Sequence, residues 1–312
     1  MRILGINISH HPSVCQLTGG QVDFYFEEER FNRKKYSLPP FKSGKFICLE
    51  KHLKQKPDYV IYTSWDRSIP LGIIPKSNKE VTDEQIINET TLQIEKLVGE
   101  HNYIFELEHH LYHVYCGYYF SKFDDAICIV MDGGGAKNVL EFPSYQEIES
   151  IYYIDKSKCI ARYKAYSDVR YSRSNTETVK HINGIEFNFS SRLSSGMKFS
   201  QLSEEIIGTS EEAGKVMGLA SYGDLNGTKQ EDKARILQEE TKNHTIELIR
   251  KAISYSDTKN IILSGGYALN CVNNYEYLKH FPEYNFFVDP AANDTGTSIG
   301  AALWLERTLH DN

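Results

Sequence analysis

Twice along this chain, three strand-like runs follow one another at the head of a longer α/β pattern. Arg2 to Ser9, Ser13 to Leu17 and Gln21 to Glu27 form the first set, with Gly19-Gly20 as the tight turn of its second hairpin. Ala126 to Met131, Glu149 to Ile154 and Cys159 to Tyr166 form the second. A pattern repeated without repeated sequence argues for a duplicated unit. Between the two sets, Phe46 to Lys54 reads as a helix stopped at Pro57, and Asp58 to Tyr62 as a buried strand. Strand alternating with helix implies parallel pairing. At 312 residues the chain is too long for one small core. The expected class is α/β, with domains at 1–124 and 125–312 and a ligand cleft between them.

The stretch from Leu107 to Gly135, LEHHLYHVYCGYYFSKFDDAICIVMDGGG, concentrates the chemistry. If Leu111 to Ser121 is helical, His109 and His113 stand at i and i+4 on one face, where both imidazoles can grip one cation. Ile127 to Met131 reads as a buried strand that delivers Asp132 at its C-terminal end, where ligands collect in α/β proteins. Histidines at this spacing are more often surface or packing residues. Imidazoles joined by a carboxylate, however, suit zinc or ferrous iron. Further on, Ile261 to Ser264 runs into GGYALNCVNN. Gly265-Gly266 would let backbone N–H groups approach an anion near a helix start. Asn270, Asn273 and Asn274 could hydrogen-bond a base or ribose. Asp294 opens the last helix, where a carboxylate is stabilised as a cap whatever its function.

Other segments carry weaker signals. EEERFNRKKY mixes acids and bases, and reads either as a solvated face or as a lining for an anion. Residues 70–80 read as a loop, after which Thr82 and Gln85 form a capping box for a helix to about Val98. Residues 167–194 are polar, poorly periodic and read as one long loop. Gly214, Gly218 and Gly223 punctuate an apolar segment, a weak sign of phosphate binding.

Formal net charge is −7 and no large basic block occurs, which argues against non-specific nucleic-acid binding. Six cysteines stand without a CxxC pair and read as free thiols of a reducing compartment. No apolar run reaches membrane-span length and the first residues enter a strand directly, so the expectation is a cytoplasmic protein without membrane contact.

Seven stretches occur in the order seen in one family: GINISHHPS, EEERFNRKK, EHHLYHV, the strand into DGGG, GKVMGLASYG, LSGGYALNCVNN and NDTGTSIGAAL. Together they resemble the O-carbamoyltransferases of antibiotic biosynthesis and nodulation-factor modification, over nearly the whole chain. The resemblance implies a two-lobed fold of the actin, sugar-kinase and heat-shock-chaperone ATPase superfamily, built from duplicated ribonuclease-H-like units around a central cleft. It implies a divalent transition metal, iron or zinc, on His109, His113, Asp132 and Asp294. It places His11 at the family's general-base position, Gly265, Gly266, Asn270 and Asn274 in the segment that holds the adenylate, and Lys215 at the lysine of KVMGLA. Pro12 and Ala136 depart from the pattern, where the family usually has Asp and Glu.

The implied reaction carries a carbamoyl group from ATP-derived carbamoyl-adenylate to a hydroxyl or amine of a small molecule, sugar or nucleoside. A hydroxyl needs a base near pH 7 and a polarised electrophile, which histidine beside a divalent metal supplies. Family members continue past the AALW helix into a YrdC-like domain that makes the adenylate, and nothing after Trp304 can encode it. The donor is therefore expected from a separate YrdC-like protein or a missing domain. A homodimer stays open. The alternatives are a nucleotide-hydrolysing switch of the ATPase or kinase kind, and a non-catalytic nucleotide-binding subunit. Magnesium in ordinary ATPases is held mainly by oxygen ligands, so the histidine pair favours transfer over the switch.

Overall fold

The computed structural model describes residues 1–35, 45–64, 83–105, 108–136, 145–168 and 177–310. In chain order the strands and helices are β1 (Arg2–Asn7), β2 (Ser13–Thr18), β3 (Gln21–Glu27), α1 (Glu29–Asn32), α2 (Ile47–His52), β4 (Tyr59–Thr63), α3 (Asp83–Val98), β5 (Asn102–Phe105) and α4 (His109–Ser121). They continue with β6 (Asp125–Met131), β7 (Gln146–Asp155), β8 (Cys159–Ser167), β9 (Thr178–Ile182), β10 (Ile185–Ser190), α5 (Ser195–Ile207), α6 (Ala213–Leu219) and α7 (Gln230–Ile253). The chain closes with β11 (Asn260–Ser264), α8 (Cys271–His280), β12 (Asn285–Val288) and α9 (Thr297–His310). Two compact units result: Met1–Cys116 with Gly135–Lys137 and Asp294–Asn312, and Gly117–Gly134 with Asn138–Asn293.

In the first unit the sheet order is β3-β2-β1-β4-β5. The first three strands are antiparallel, and β4 and β5 join in parallel, as strand alternating with helix implies. One face is the apolar core, where Leu4, Ile6, Ile8, Val60 and Tyr62 meet Leu49 of α2 and Ile87 and Ile94 of α3. The other face takes α9, which packs on β1, β2 and β4. Small residues make that approach close: a Cβ on Gly5 would lie 2.0 Å from the Ser298 carbonyl oxygen, and one on Gly300 would lie 1.8 Å from that of Tyr112. Residues from Asp294 onward, which the sequence reading put in the domain 125–312, therefore pack with the first unit.

Within the charge run Glu28 is buried, and its carboxylate accepts the N–H groups of Ile47 and Cys48 at the start of α2 (2.8 and 3.1 Å). Arg30 points outward and pairs with Glu27. The capping-box residue Thr82 and the loop at 70–80 lie outside the described residues.

The second unit carries a seven-stranded sheet ordered β12-β11-β6-β7-β8-β10-β9. Its antiparallel β6-β7-β8 is the expected second meander, and β11 joins β6 in parallel. Ile127, Ile129, Ile261 and Leu263 pack with Leu237, Ile246 and Ile249 of α7 in the core. One expectation fails here: the supposed loop 167–194 contains the hairpin β9-β10. Its two-residue turn, Asn183-Gly184, has positive φ at both positions (51° and 79°), the geometry that Asn-Gly favours between strands.

Four of the six cysteines, Cys15, Cys48, Cys116 and Cys128, are buried, and burial pushes the thiols of Cys15, Cys48 and Cys128 up. Among the described residues no helix is long and apolar enough to cross a membrane.

Candidate metal centre

The helix α4 starts on the histidines themselves, so His109, His110 and His113 occupy its first two turns, and all three are fully buried. The i, i+4 spacing stacks His109 over His113 and brings their Nε2 atoms within 3.2 Å. The Asp294 Oδ1 atom lies 3.5 Å from Nε2 of His109 and 3.9 Å from Nε2 of His113.

Zinc and similar cations bind imidazole nitrogen and carboxylate oxygen at about 2.0–2.2 Å, which sets neighbouring ligand atoms about 3.0–3.5 Å apart. The observed separations approach that spacing, so these residues fit a cation. A proton on one Nε2 can serve a single neighbour well, whereas a cation serves all three lone pairs at once. Gly135 closes on the same group, for a Cβ there would lie 2.6 Å from the His110 ring.

Asp294 is fixed from several sides. Its Oδ2 accepts the Ser9 hydroxyl at 3.0 Å and faces Nδ1 of His10 at 3.4 Å. Its carbonyl accepts the Asn7 amide and the Thr297 hydroxyl, at 2.8 and 2.7 Å. Asn7 also donates to the His11 carbonyl and accepts the Ser9 N–H, both at 2.8 Å, so one side chain ties Asp294 to the loop carrying both histidines. Burial alone pushes the Asp294 carboxyl up, but His109, His10 and His11 outweigh it and hold it well below the usual carboxylate range. It stands ionised among imidazoles, as a ligand must.

His10 faces the same carboxylate as the α4 histidines although it neighbours His11 in sequence. The strand ends at Asn7, so period two does not reach it, and its ring packs 4.1 Å from that of His11. Asn7, Ser9 and His10 were not singled out as members of this group. The doubled histidine was the available signal, since both imidazoles on one short loop can face one carboxylate.

In the second unit, Asp132 stands at the end of β6, nearly buried, and its Oδ1 accepts the Gly266 N–H at 3.1 Å. Gly265 is required there, with φ at +86° and a hypothetical Cβ 2.3 Å from the Met131 carbonyl oxygen. Asn270 is buried and caps α8 by accepting the Asn273 N–H, while its amide exchanges hydrogen bonds with Gln238 (2.8 and 3.2 Å). Asn274 donates to the Ala268 carbonyl. Lys215 is exposed, 3.3 Å from Glu212. The same unit holds a trio around the buried Glu149 that the sequence did not reveal: half-buried Arg192 meets both of its carboxylate oxygens, and half-buried His244 reaches it at 2.8 Å. Two residues past Arg192, Ser194 donates to the Gly133 carbonyl and caps α5, steadying the turn after Asp132.

The described fold and these residues can be set beside known proteins. Residues 227–303 match the family described as Carbamoyltransferase N-terminus. Over 330 residues the chain is 24% identical to the nodulation protein NolNO of Sinorhizobium fredii, covering 96% of this chain and 47% of that protein. It is 28% identical over 320 residues to an uncharacterized protein of Methanocaldococcus jannaschii, covering 96% of this chain and 56% of that one. The chain thus spans about half the length of these curated relatives. Among solved structures, HypF in its phosphate- and nucleotide-bound form is similar with a TM-score of 0.55 at 14% identity, over 99% of this chain and 55% of that one. ROK hexokinase from Thermus thermophilus gives 0.54 at 11% identity over the full length of both chains. These structural likenesses show an α/β fold of the actin and sugar-kinase type.

Proposed function

We propose that this chain transfers a carbamoyl group from carbamoyl-adenylate to a hydroxyl, or an amine, of a small-molecule acceptor such as a sugar or nucleoside. The observation that carries this reading is the convergence of His109, His113 and Asp294, with His10 and His11 held beside the same carboxylate.

A divalent transition metal, iron or zinc, bound by His109, His113 and Asp294 would supply Lewis acidity towards a carbonyl oxygen. Asp132 is the fourth ligand in this proposal, as the DGGG motif implies. The chain's own residues do the rest. His11 takes the proton of the acceptor hydroxyl on its imidazole as the oxygen attacks the carbamoyl carbon. The new C–O bond forms as the bond from that carbon to the adenylate phosphate oxygen breaks, and AMP leaves with the electron pair. Asn7 fixes the His11 backbone, and His10 orients the Asp294 carboxylate. Gly265 and Gly266 form the turn that would hold the adenylate, while Asn270 and Asn274 act by holding the start of α8. Lys215 receives no step. The donor comes from a YrdC-like protein or domain.

The test supplies the protein with ATP, carbamoyl phosphate and a YrdC-like enzyme, then searches candidate acceptors by mass spectrometry for the gain of one carbamoyl group. Gain that requires this chain supports the reading. Its absence across sugars, nucleosides and aminated analogues refutes it.

A further inference from the structure

The Asp294 carboxylate presents two oxygens, and the histidines of α4 use only one. Its Oδ1 faces Nε2 of His109 and of His113. Its Oδ2 faces Nδ1 of His10 at 3.4 Å. His11 stands in the same group, for one ring nitrogen of each of His10 and His11 and one Asp294 oxygen all lie within 4.8 Å of one another. Bonds of about 2.0–2.2 Å from one tetrahedral cation set its ligand atoms about 3.0–3.5 Å apart, so the His10–Asp294 pair already stands at coordination distance. The two loop rings lie 4.1 Å apart between centroids, close enough for one nitrogen of each to meet a shared ion.

The fold fixes this trio, which lies wholly within the first unit. Asn7 accepts the Ser9 N–H and donates to the carbonyls of His11 and Asp294, each at 2.8 Å. Ser9 in turn holds Oδ2 itself. The loop that carries both imidazoles is thereby tied to the residue that supplies the oxygen. The two sides of the carboxylate differ in exposure. His109 and His113 are fully buried, whereas the His10 side chain is 42% exposed. A cation beside His10 keeps contact with water and is repelled by a cation on the other oxygen, so it binds second and more weakly. Two imidazoles with one carboxylate suit zinc rather than magnesium, which prefers oxygen ligands.

We propose that His10, His11 and Asp294 form a second, solvent-facing zinc site, bridged to the inner centre by the Asp294 carboxylate, and that filling it blocks the His11 base. A neutral imidazole has one nitrogen lone pair. Once a cation takes it, none remains for the acceptor proton. Zinc beyond the first equivalent then switches transfer off without displacing the inner metal. The blocking step rests on the transfer reading, but the binding of zinc does not.

The experiment titrates protein already carrying one equivalent of zinc with further zinc by calorimetry at about pH 7.5, where imidazole is neutral. Bound metal is counted by elemental analysis after equilibrium dialysis. Wild type should take up a second equivalent that excess magnesium does not displace. Its affinity should fall roughly tenfold or more in His10→Asn and in His11→Asn, since loss of even an outer partner of a metal ligand costs about that much. His11→Asn keeps the inner equivalent, so the two sites are read apart. In the transfer assay the wild-type rate should drop as the second equivalent fills and return when a weak chelator removes it. A single equivalent in wild type, a second equivalent held equally tightly by His11→Asn, or a transfer rate unchanged by the second zinc overturns the inference. A second equivalent that needs both histidines, in a protein that transfers no carbamoyl group at one equivalent, sinks the transfer reading and leaves the zinc site standing.

Discussion

His10 and His109 address opposite oxygens of one carboxylate: Nδ1 of His10 lies 3.4 Å from Oδ2 of Asp294, and Nε2 of His109 lies 3.5 Å from Oδ1. An aspartate used in this way has a fixed plane, because neither oxygen can swing without losing an imidazole. Ser9 adds a third restraint at Oδ2. One oxygen is thereby presented to the α4 histidines and the other is tied to the loop after β1.

The first prediction concerns metal content. Purified protein should hold about one divalent transition metal, and His113→Ala should lose most of it, because its Nε2 shares the Asp294 oxygen with His109. Elemental analysis of both proteins checks this, and equal content in the two would remove His113 from the site. Imidazole must be deprotonated to bind, so metal should also leave as pH falls below about 6.

The two loop histidines should separate by readout. His11→Asn should retain metal and lose roughly 10²- to 10⁴-fold in transfer rate, the usual worth of a positioned base. His10→Asn should instead weaken metal binding by roughly 10- to 100-fold, as loss of an outer partner of a ligand does. Competition with a chelator measures the second effect and single-turnover transfer the first. Loss of metal from His11→Asn would turn that residue from base into ligand.

Much of this was readable in the residues, for physical reasons that also explain what was not. Apolar runs and glycine turns locate β1, β4, β6 and β11, because burial on both faces leaves a continuous signature. The i, i+4 histidines announce a shared face because a helix has one period. Hydrogen-bond commitments leave no such trace. Asn270 read as a contact for a base or ribose, yet its side chain caps α8 and binds Gln238, 32 residues away in sequence. Asn7 carries no motif of its own, since its role depends on Asp294 arriving from 287 residues downstream. The β9-β10 hairpin, by contrast, was legible in Asn183-Gly184 between alternating residues. The polar composition around it reads as loop and masks that signal.

The last prediction concerns acid stability and the trio around Glu149. Burial pushes this carboxyl up, but Arg192 and His244 outweigh it and hold it far below the usual glutamate range. A glutamate in the unfolded chain titrates near 4.3, so at intermediate pH the unfolded state binds the extra proton and the folded state does not. The stabilisation is therefore fully present above about pH 4.3 and drains away as pH falls towards the lower folded value. Glu149→Gln should cost about 1–3 kcal/mol at neutral pH, because it removes the buried carboxylate that the half-buried Arg192 and His244 both face. Below about pH 4 the variant's stability should depend less steeply on pH than that of wild type, since the titrating group is gone. Urea unfolding at a series of pH values between neutral and about 3 measures both effects. Equal midpoints at neutral pH, or parallel curves in acid, would show that the trio contributes nothing of this kind. The consequence extends to the turn after Asp132: Arg192 anchors the segment from which Ser194 holds the Gly133 carbonyl, so hydrogen exchange at Gly133 and Gly134 should speed up in Glu149→Gln before global unfolding does.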